Sequence, residues 1–304
     1  MTPDERVEAV AKFGFSTRQA RFLVTVMRHS GVCLPRQYAA FSGISYGQKT
    51  RAFFGKLVAR RFASTCRCLH NRAVVYHVQH RAHYRAIDDP HSGLRRPVSA
   101  ASVVPRMMLL DVVVASPETM WLVGEEEKVA NLAEVAPAPV DRLSDPAADT
   151  GPVGVVRRFQ DHLPIGIEPA GRAVFVYPMT SSSVTQFRSF LRRHAPLFGS
   201  LPAWTLRVVC SADSEHLLPS YRAAVRNQFD SLGTPFGATL ADGSGRLEIE
   251  VLTHTYRHLI PLVAGPSDLL PGAEEGEQVG ERPSARPRPP WATSSIESVD
   301  TLSP

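Results

Sequence analysis

One stretch decides the fold, residues 16–78, which reads STRQARFLVTVMRHSGVCLPRQYAAFSGISYGQKTRAFFGKLVARRFASTCRCLHNRAVVYHV. Apolar residues recur at helical spacing in three consecutive segments, and two runs rich in β-branched and aromatic residues follow. The charge is one-sided as well, because between Ala9 and Ile87 there are 14 Lys and Arg residues and no Asp or Glu. The stretch therefore predicts three helices and a hairpin with a wholly positive surface.

The ends of the first two of these helices carry specific signals. Ser16 and Gln19 have the spacing of a capping box, and apolar residues then recur up to Gly31. The second helix is predicted to begin at Pro35, a residue favoured in the first turn, and to end at Gly43. A shorter helix is predicted before them, over residues 3–12.

The next segment contains a tight turn, a basic helix and a hairpin. Residues 43–47, GISYG, supply a turn with glycines where a positive φ is needed. A third helix follows from about Gln48 to Arg60, and two strands, 62–69 and 73–78, are joined at residues 70–72. Helix, helix, basic helix and hairpin in this order are typical of a winged helix-turn-helix, in which the hairpin is the wing.

The basic surface predicts double-stranded DNA as the partner, because a duplex carries about one negative charge per 1.7 Å of its axis. Polar and basic side chains of the turn, the third helix and the wing are the expected DNA contacts. They are Ser45, Tyr46, Gln48, Lys49, Arg51, Lys56, Arg60, Arg67 and Arg72. Gln pairs with adenine and Arg with guanine, and the remaining cations suit phosphates. The alternative is a solvated basic surface without a partner.

The chain has 304 residues, which is long enough for two domains and additional segments outside them. Hydrophobic residues make up 43% of it, which is sufficient to form hydrophobic cores. Residues 1–96 carry 17 basic and 5 acidic side chains, a balance of +12, whereas residues 97–304 carry 17 and 24, a balance of −7. The sequence has neither an apolar run of 18 residues nor a signal-peptide pattern at its N-terminus. Four cysteines make no disulfide framework. We therefore expect a cytoplasmic protein without membrane contact.

Five segments are predicted along the chain. They are a winged helix-turn-helix domain over 1–96, a connecting helix and strand over 97–130, a linker over 131–152, an α/β domain over 153–264 and a disordered tail over 265–304. The connecting helix, residues 97–115, is expected to break or kink near Pro105. It serves either as a dimer contact or as part of the core, and the C-terminal domain is the other candidate for a homodimer contact.

The predicted α/β domain begins with a meander and continues with alternating helices and strands. Its elements are strands at Val153–Phe159, Leu163–Ile167 and Ala173–Tyr177, a helix at Thr185–His194, a strand at Leu206–Cys210, a helix at Tyr221–Phe229 and a strand at Leu247–Leu252. Such an order makes a mixed sheet, so the fold class of the whole chain is predicted as α+β.

Cysteine and histidine residues, which are common zinc ligands, are dense in one part of the chain. The residues are Cys66, Cys68, His70, His77, His80 and His83. Structural zinc sites usually space their cysteines as C-x2-4-C, but Cys66 and Cys68 are one residue apart and no second cysteine pair follows. We therefore predict no metal and no cofactor. Nucleophile-elbow, P-loop and dinucleotide-binding motifs are also missing, so no catalytic residue is predicted.

The chain resembles the replication-relaxation type proteins of plasmids and mobile elements. These pair an N-terminal winged helix with a C-terminal domain of restriction-endonuclease-like topology. The resemblance covers roughly Ser16 to Phe229. It depends on the basic segment of three helices with its predicted wing, and on the order of elements after Val153. It implies DNA binding in replication, transfer or transcriptional control.

The resemblance also implies where a nuclease site would lie. A metal-binding acid would end the strand at residues 163–167, and an acid and a lysine would follow on the strand at 174–178. The second strand offers Val, Tyr and Pro instead, and no lysine follows Lys128. We therefore expect a non-catalytic domain that mediates association.

Two alternatives stay open. One is a metal-dependent nuclease that uses Asp161 or Glu168 together with Glu248 or Glu250. The other is a protein-interaction adaptor, in which the basic surface is incidental.

Overall fold

The computed structural model describes residues 1–68, 73–136, 159, 163–180, 183–232 and 245–252. These parts of the chain contain α-helices, a three-stranded antiparallel sheet and a five-stranded mixed sheet, which confirms the α+β class. None of the described helices combines the length and the apolar character needed to cross a bilayer.

In the N-terminal part, the described residues between Pro3 and Ala86 form five α-helices and the small sheet. Its elements are α1 (Pro3–Ala11), α2 (Thr17–His29), β1 (Val32–Cys33), α3 (Pro35–Ser42), α4 (Gln48–Ala59), β2 (Ala63–Arg67), β3 (Val74–Val78) and α5 (Arg81–Ala86). The strand order is β1-β3-β2, with both pairs antiparallel. Helices α1 to α4 and both strands of the hairpin were predicted within two residues, and the tip of the hairpin at 69–72 lies outside the described residues.

Local chemistry sets the ends of α2 and α3 as predicted. Ser16 Oγ accepts a hydrogen bond from the Gln19 amide, and Gln19 Oε1 accepts one from the Ser16 amide at 3.1 Å, so the capping box is confirmed. Gly43 closes α3 with φ of 62°, in the left-handed region that glycine adopts at little cost. The chain is thereby turned into the segment that precedes α4.

A long helix, α6 (Ala100–Ala115), follows one turn of 3-10 helix at Gly93–Arg95. Of the predicted break or kink near Pro105, the break is wrong, because α6 runs through this residue as one element. A proline at the sixth position removes a single amide donor, and packing of the helix on both sides offsets that loss. The buried side chains of α6 are Val103, Met107, Met108, Leu109, Leu110, Val112 and Val113. They belong to the hydrophobic core of the chain, as one of the two predicted roles for this helix requires.

The larger sheet begins directly after α6. Its elements and the helices around it are β4 (Met120–Leu122), α7 (Glu125–Val135), β5 (Ile165–Ile167), β6 (Ala173–Pro178), α8 (Thr185–Ser200), β7 (Trp204–Ser211), α9 (Leu218–Leu232) and β8 (Gly245–Leu252). The strand order is β4-β5-β6-β7-β8, in which β4, β5 and β6 are antiparallel and β6, β7 and β8 are parallel. The mixed sheet was predicted, but it includes a strand that lies well before residue 153.

The predicted linker and flanking segments are only partly described. Helix α7 extends to Val135 and buries Leu132, so the first residues of the range 131–152 are ordered helix. The predicted strand at Val153–Phe159 lies outside the described residues except for Phe159, which is buried in the core. The predicted tail at 265–304 also lies outside them.

The two faces of the larger sheet are covered by different helices. Phe175 and Leu206 point towards α8 and α9, whereas Val174, Val176 and Val209 on the opposite face join the apolar cluster around α6. That cluster also contains residues of the small sheet and its flanks, namely Val32, Leu34 and Val75. The predicted boundary at residue 96 therefore divides the chain but not the hydrophobic core.

Polar contacts reinforce the attachment of α3 to α6. Arg36 donates two hydrogen bonds to the Asp111 carboxylate, at 2.9 and 2.8 Å. Gln37, which is fully buried, donates from Nε2 to the Met107 carbonyl at 2.9 Å and to Asp111 at 2.8 Å. A bidentate guanidinium–carboxylate pair fixes both distance and orientation, so α3 is held at one angle to α6.

Replacement of glycine by alanine is expected to have opposite effects on stability at two positions. A Cβ on Gly245 would lie 2.4 Å from Cζ2 of the fully buried Trp204, so Gly245→Ala should lower the free energy of unfolding by about 1–3 kcal/mol through overpacking. A Cβ on Gly55, inside α4, would meet nothing within 4 Å, so Gly55→Ala should raise stability by about 1 kcal/mol through helix propensity. Denaturant titration of both variants measures the difference, and a loss of stability in Gly55→Ala would contradict the open position of this residue.

Candidate nucleic-acid interface

Helix α4 is fixed by one apolar side, which determines the side that faces outward. Phe53, Phe54 and Leu57 are buried, and the ring of Phe53 packs 4.4 Å from that of Tyr38. Tyr38 and Phe53 are therefore both part of the hydrophobic core. Thr50 is also fully buried. The polar residues at neighbouring positions of the helix are consequently directed to solvent.

Five of the predicted DNA contacts lie together at the start of α4 and in the turn before it. They are Ser45, Tyr46, Gln48, Lys49 and Arg51, and all five are exposed. Their side chains form neither a hydrogen bond nor an ion pair with any other described residue. The hydrogen-bond donors and acceptors of these five side chains, which lie close together in the sequence, are thus available to an external partner.

Two other predicted contacts on the same helix are engaged within the protein. Lys56 Nζ donates to the Gly14 carbonyl and lies 4.8 Å from the centre of the Phe15 ring. Arg60 Nη1 donates to the Phe13 carbonyl at 2.9 Å. Both side chains tie the C-terminal half of α4 to the connection between α1 and α2. Lys56 and Arg60 are therefore engaged in hydrogen bonds within the protein, which the five outward residues lack.

The hairpin that is predicted as the wing is described only in part. Arg67 is exposed at the end of β2, opposite Val74 on β3, and its side chain forms no ion pair with another described residue. Arg72, the second predicted wing contact, lies outside the described residues.

An open cavity of about 680 Å³ lies between the N-terminus of α2 and helices α3 and α4. Its lining includes Ser16, Arg18, Lys49 and Lys56, so three cations and the positive end of a helix border it. Arg18 was not among the predicted contacts; it is exposed, and its Nη1 donates to the Ser42 carbonyl at 3.5 Å. Its position two residues after the helix cap is the sequence signal that could have identified it.

No group of three or more His, Cys, Asp or Glu among the described residues is placed to hold a metal ion. His77 is buried, with Nε2 at 2.9 Å from the Leu94 carbonyl oxygen. His83 is fully buried beside the rings of Phe13 and Phe62, at 4.5 and 4.2 Å. His70 lies outside the described residues.

The carboxylates of the larger sheet are spread over distant positions. Glu248 accepts hydrogen bonds from Arg207 at 3.1 and 3.2 Å, and Glu250 lies 3.7 Å from the same guanidinium. Burial raises the pKa of Glu250, while Arg207 opposes that shift. Glu168 follows β5, three strands from β8, which at about 4.8 Å per strand is roughly 14 Å. The structure therefore does not bring Glu168 together with Glu248 or Glu250, and Asp161 lies outside the described residues.

Comparison of the chain with protein families, with curated proteins and with solved structures found no match.

Proposed function

We propose that this protein binds double-stranded DNA through a winged helix-turn-helix formed by its N-terminal part. The order α2, β1, α3, α4, β2, β3 and the strand order β1-β3-β2 support this proposal, because a winged helix places a short strand after its first helix and pairs it with the hairpin. In this arrangement α4 is the recognition helix, and β2 and β3 form the wing.

The five outward residues at the start of α4 are the observation that carries the proposal. Helix-turn-helix proteins contact base edges with the N-terminal residues of the recognition helix. The exposed hydroxyl, amide and cationic groups of this set form no hydrogen bond or ion pair with other described residues, and no acidic residue interrupts the chain between Ala9 and Ile87. Duplex DNA supplies both the acceptors of the base edges and the phosphates that match these groups.

The biological process is proposed from the resemblance to replication-relaxation type proteins. We infer a role in replication, transfer or transcriptional control of a plasmid or mobile element, with the larger sheet serving association with another protein or a second copy. The paired state of Glu248 and Glu250 with Arg207 is compatible with a non-catalytic role for that sheet.

Fluorescence anisotropy of the full chain with a labelled random-sequence duplex, at two salt concentrations, tests the proposal. Each neutralised phosphate contributes about −0.9 to the slope of log K against log salt. With three or more phosphate contacts, a fourfold rise in salt should weaken binding by more than about tenfold. No binding at low salt would contradict the proposal and favour the protein-interaction adaptor.

A further inference from the structure

We propose that Arg51 recognises guanine in the major groove and that Tyr46 is the residue that positions it. This inference rests on the proposed function, because it assigns a sequence preference to the same surface. It goes beyond that function by naming one base and the pair of side chains that selects it.

The contact between the two side chains is the first observation. The guanidinium carbon of Arg51 lies over the ring of Tyr46, 5.7 Å from its centre, within the range of a cation–π interaction. Tyr46 is 57% exposed in the turn before α4, and Arg51 is exposed at the fourth position of the helix. The ring restricts the guanidinium without supplying a conventional acceptor, so the N–H donors of Arg51 remain without an acceptor among the described residues. A side chain ordered before binding loses less entropy on binding.

The surroundings of Arg51 on α4 are the second observation. The exposed residues that follow it on the helix have short side chains: Ala52, Gly55 and Ala59, together with Val58, which is 41% exposed. A helix surface without long side chains can approach the floor of a groove closely. Among the exposed residues from position 51 to the end of α4, Arg51 is therefore the one whose side chain has both the length and the donors to reach a base edge.

The chemistry of the guanidinium selects the base. Guanine presents two acceptors in the major groove, O6 and N7, which match the two parallel donors of an Arg fork. Adenine presents one acceptor and one donor at the corresponding positions, so one donor of Arg51 would face another donor. A good bidentate pair discriminates by about tenfold to hundredfold in affinity. Lys49, a point charge, suits phosphate instead.

Selection of duplexes from a randomised pool by the full-length protein, followed by sequencing, tests the inference. Wild type should enrich a guanine at one fixed position. Arg51→Gln should lose that enrichment, and Tyr46→Ala should reduce it. Tyr46→Phe should preserve it, since phenylalanine keeps the aromatic face. Circular dichroism and thermal unfolding of each variant confirm that the fold is retained.

A second arm identifies the atoms that are read. With 7-deazaguanine at the enriched position, affinity of the wild type should fall about tenfold, because N7 is removed, whereas that of Arg51→Gln should hardly change. Enrichment of the same guanine by wild type and Arg51→Gln would overturn the inference, and so would duplex binding by the wild type without any guanine preference. Failure of the wild type to retain any duplex at low salt would instead overturn the proposed function itself.

Discussion

Replacement of Lys49 and Arg51 together by alanine is expected to weaken binding to duplex DNA by at least about tenfold. Both side chains are exposed and have no hydrogen-bond partner among the described residues, so their loss should leave stability nearly unchanged. A phosphate contact by Lys49 would account for a decrease of about one in the salt slope, and a base contact by Arg51 for a factor of roughly ten or more. Anisotropy titrations over several salt concentrations separate the two effects.

Lys56→Ala combined with Arg60→Ala is the matched control, because it removes the same charge from the same helix. These side chains donate to the carbonyls of Gly14 and Phe13, so their loss should lower stability by about 1 kcal/mol per hydrogen bond. Affinity for DNA should fall less than in the first double variant. Equal losses of affinity in both double variants would show that net charge alone drives binding, and the assignment to the start of α4 would be wrong.

Acidification is expected to destabilise the protein through His83. Burial lowers the pKa of this imidazole from its usual value of 6.5 to about 4, and the neighbouring His80 adds to the shift. Neither ring nitrogen has a hydrogen-bond partner among the described residues. Between pH 6.5 and 4 the unfolded chain binds a proton at this residue that the folded chain excludes, so the free energy of unfolding decreases as the pH falls. The loss from His83 alone is roughly 2–3 kcal/mol at about pH 4.5.

Denaturant titrations at about pH 7.5 and 4.5 measure this loss, with His83→Leu as the test variant. The substitution has similar volume and no proton to bind, so the drop in stability between the two pH values should shrink by roughly 2–3 kcal/mol. Some pH dependence should persist, because burial also lowers the pKa values of His29 and His77. His91→Leu, at an exposed position, is the control. An unchanged drop in His83→Leu would contradict the buried, neutral state of this residue.

The N-terminal elements could be predicted because their signals are local. Ser16 with Gln19, Pro35 and Gly43 act on their own turns of the chain, and the structure has helix ends where these residues predict them. The interior of α6 shows the limit of such signals. Pro105 weakens a helix locally, but whether the helix breaks depends on the packing energy of two sheets that lie far away in sequence.

The candidate interface was predictable as a list of side chains but not as a geometry. Spacing along α4 gives no information on whether a cation turns outward or towards the protein. Lys56 and Arg60 form hydrogen bonds within the protein because the carbonyls of Gly14 and Phe13 lie within their reach. Lys49 and Arg51 have no such acceptor among the described residues. Such acceptors belong to another part of the chain, and only the folded structure brings them close.

The apolar cluster around α6 limits how this protein can be divided or recombined. Val32, Leu34 and Val75 of the N-terminal part share it with Val174, Val176 and Val209 of the larger sheet. A fragment cut after residue 96 would leave the first three side chains facing water, and would leave Arg36 without the carboxylate of Asp111. A chimaera that transplants the N-terminal part to another protein would therefore have to carry α6 with it, along with a substitute for the sheet surface on which α6 rests.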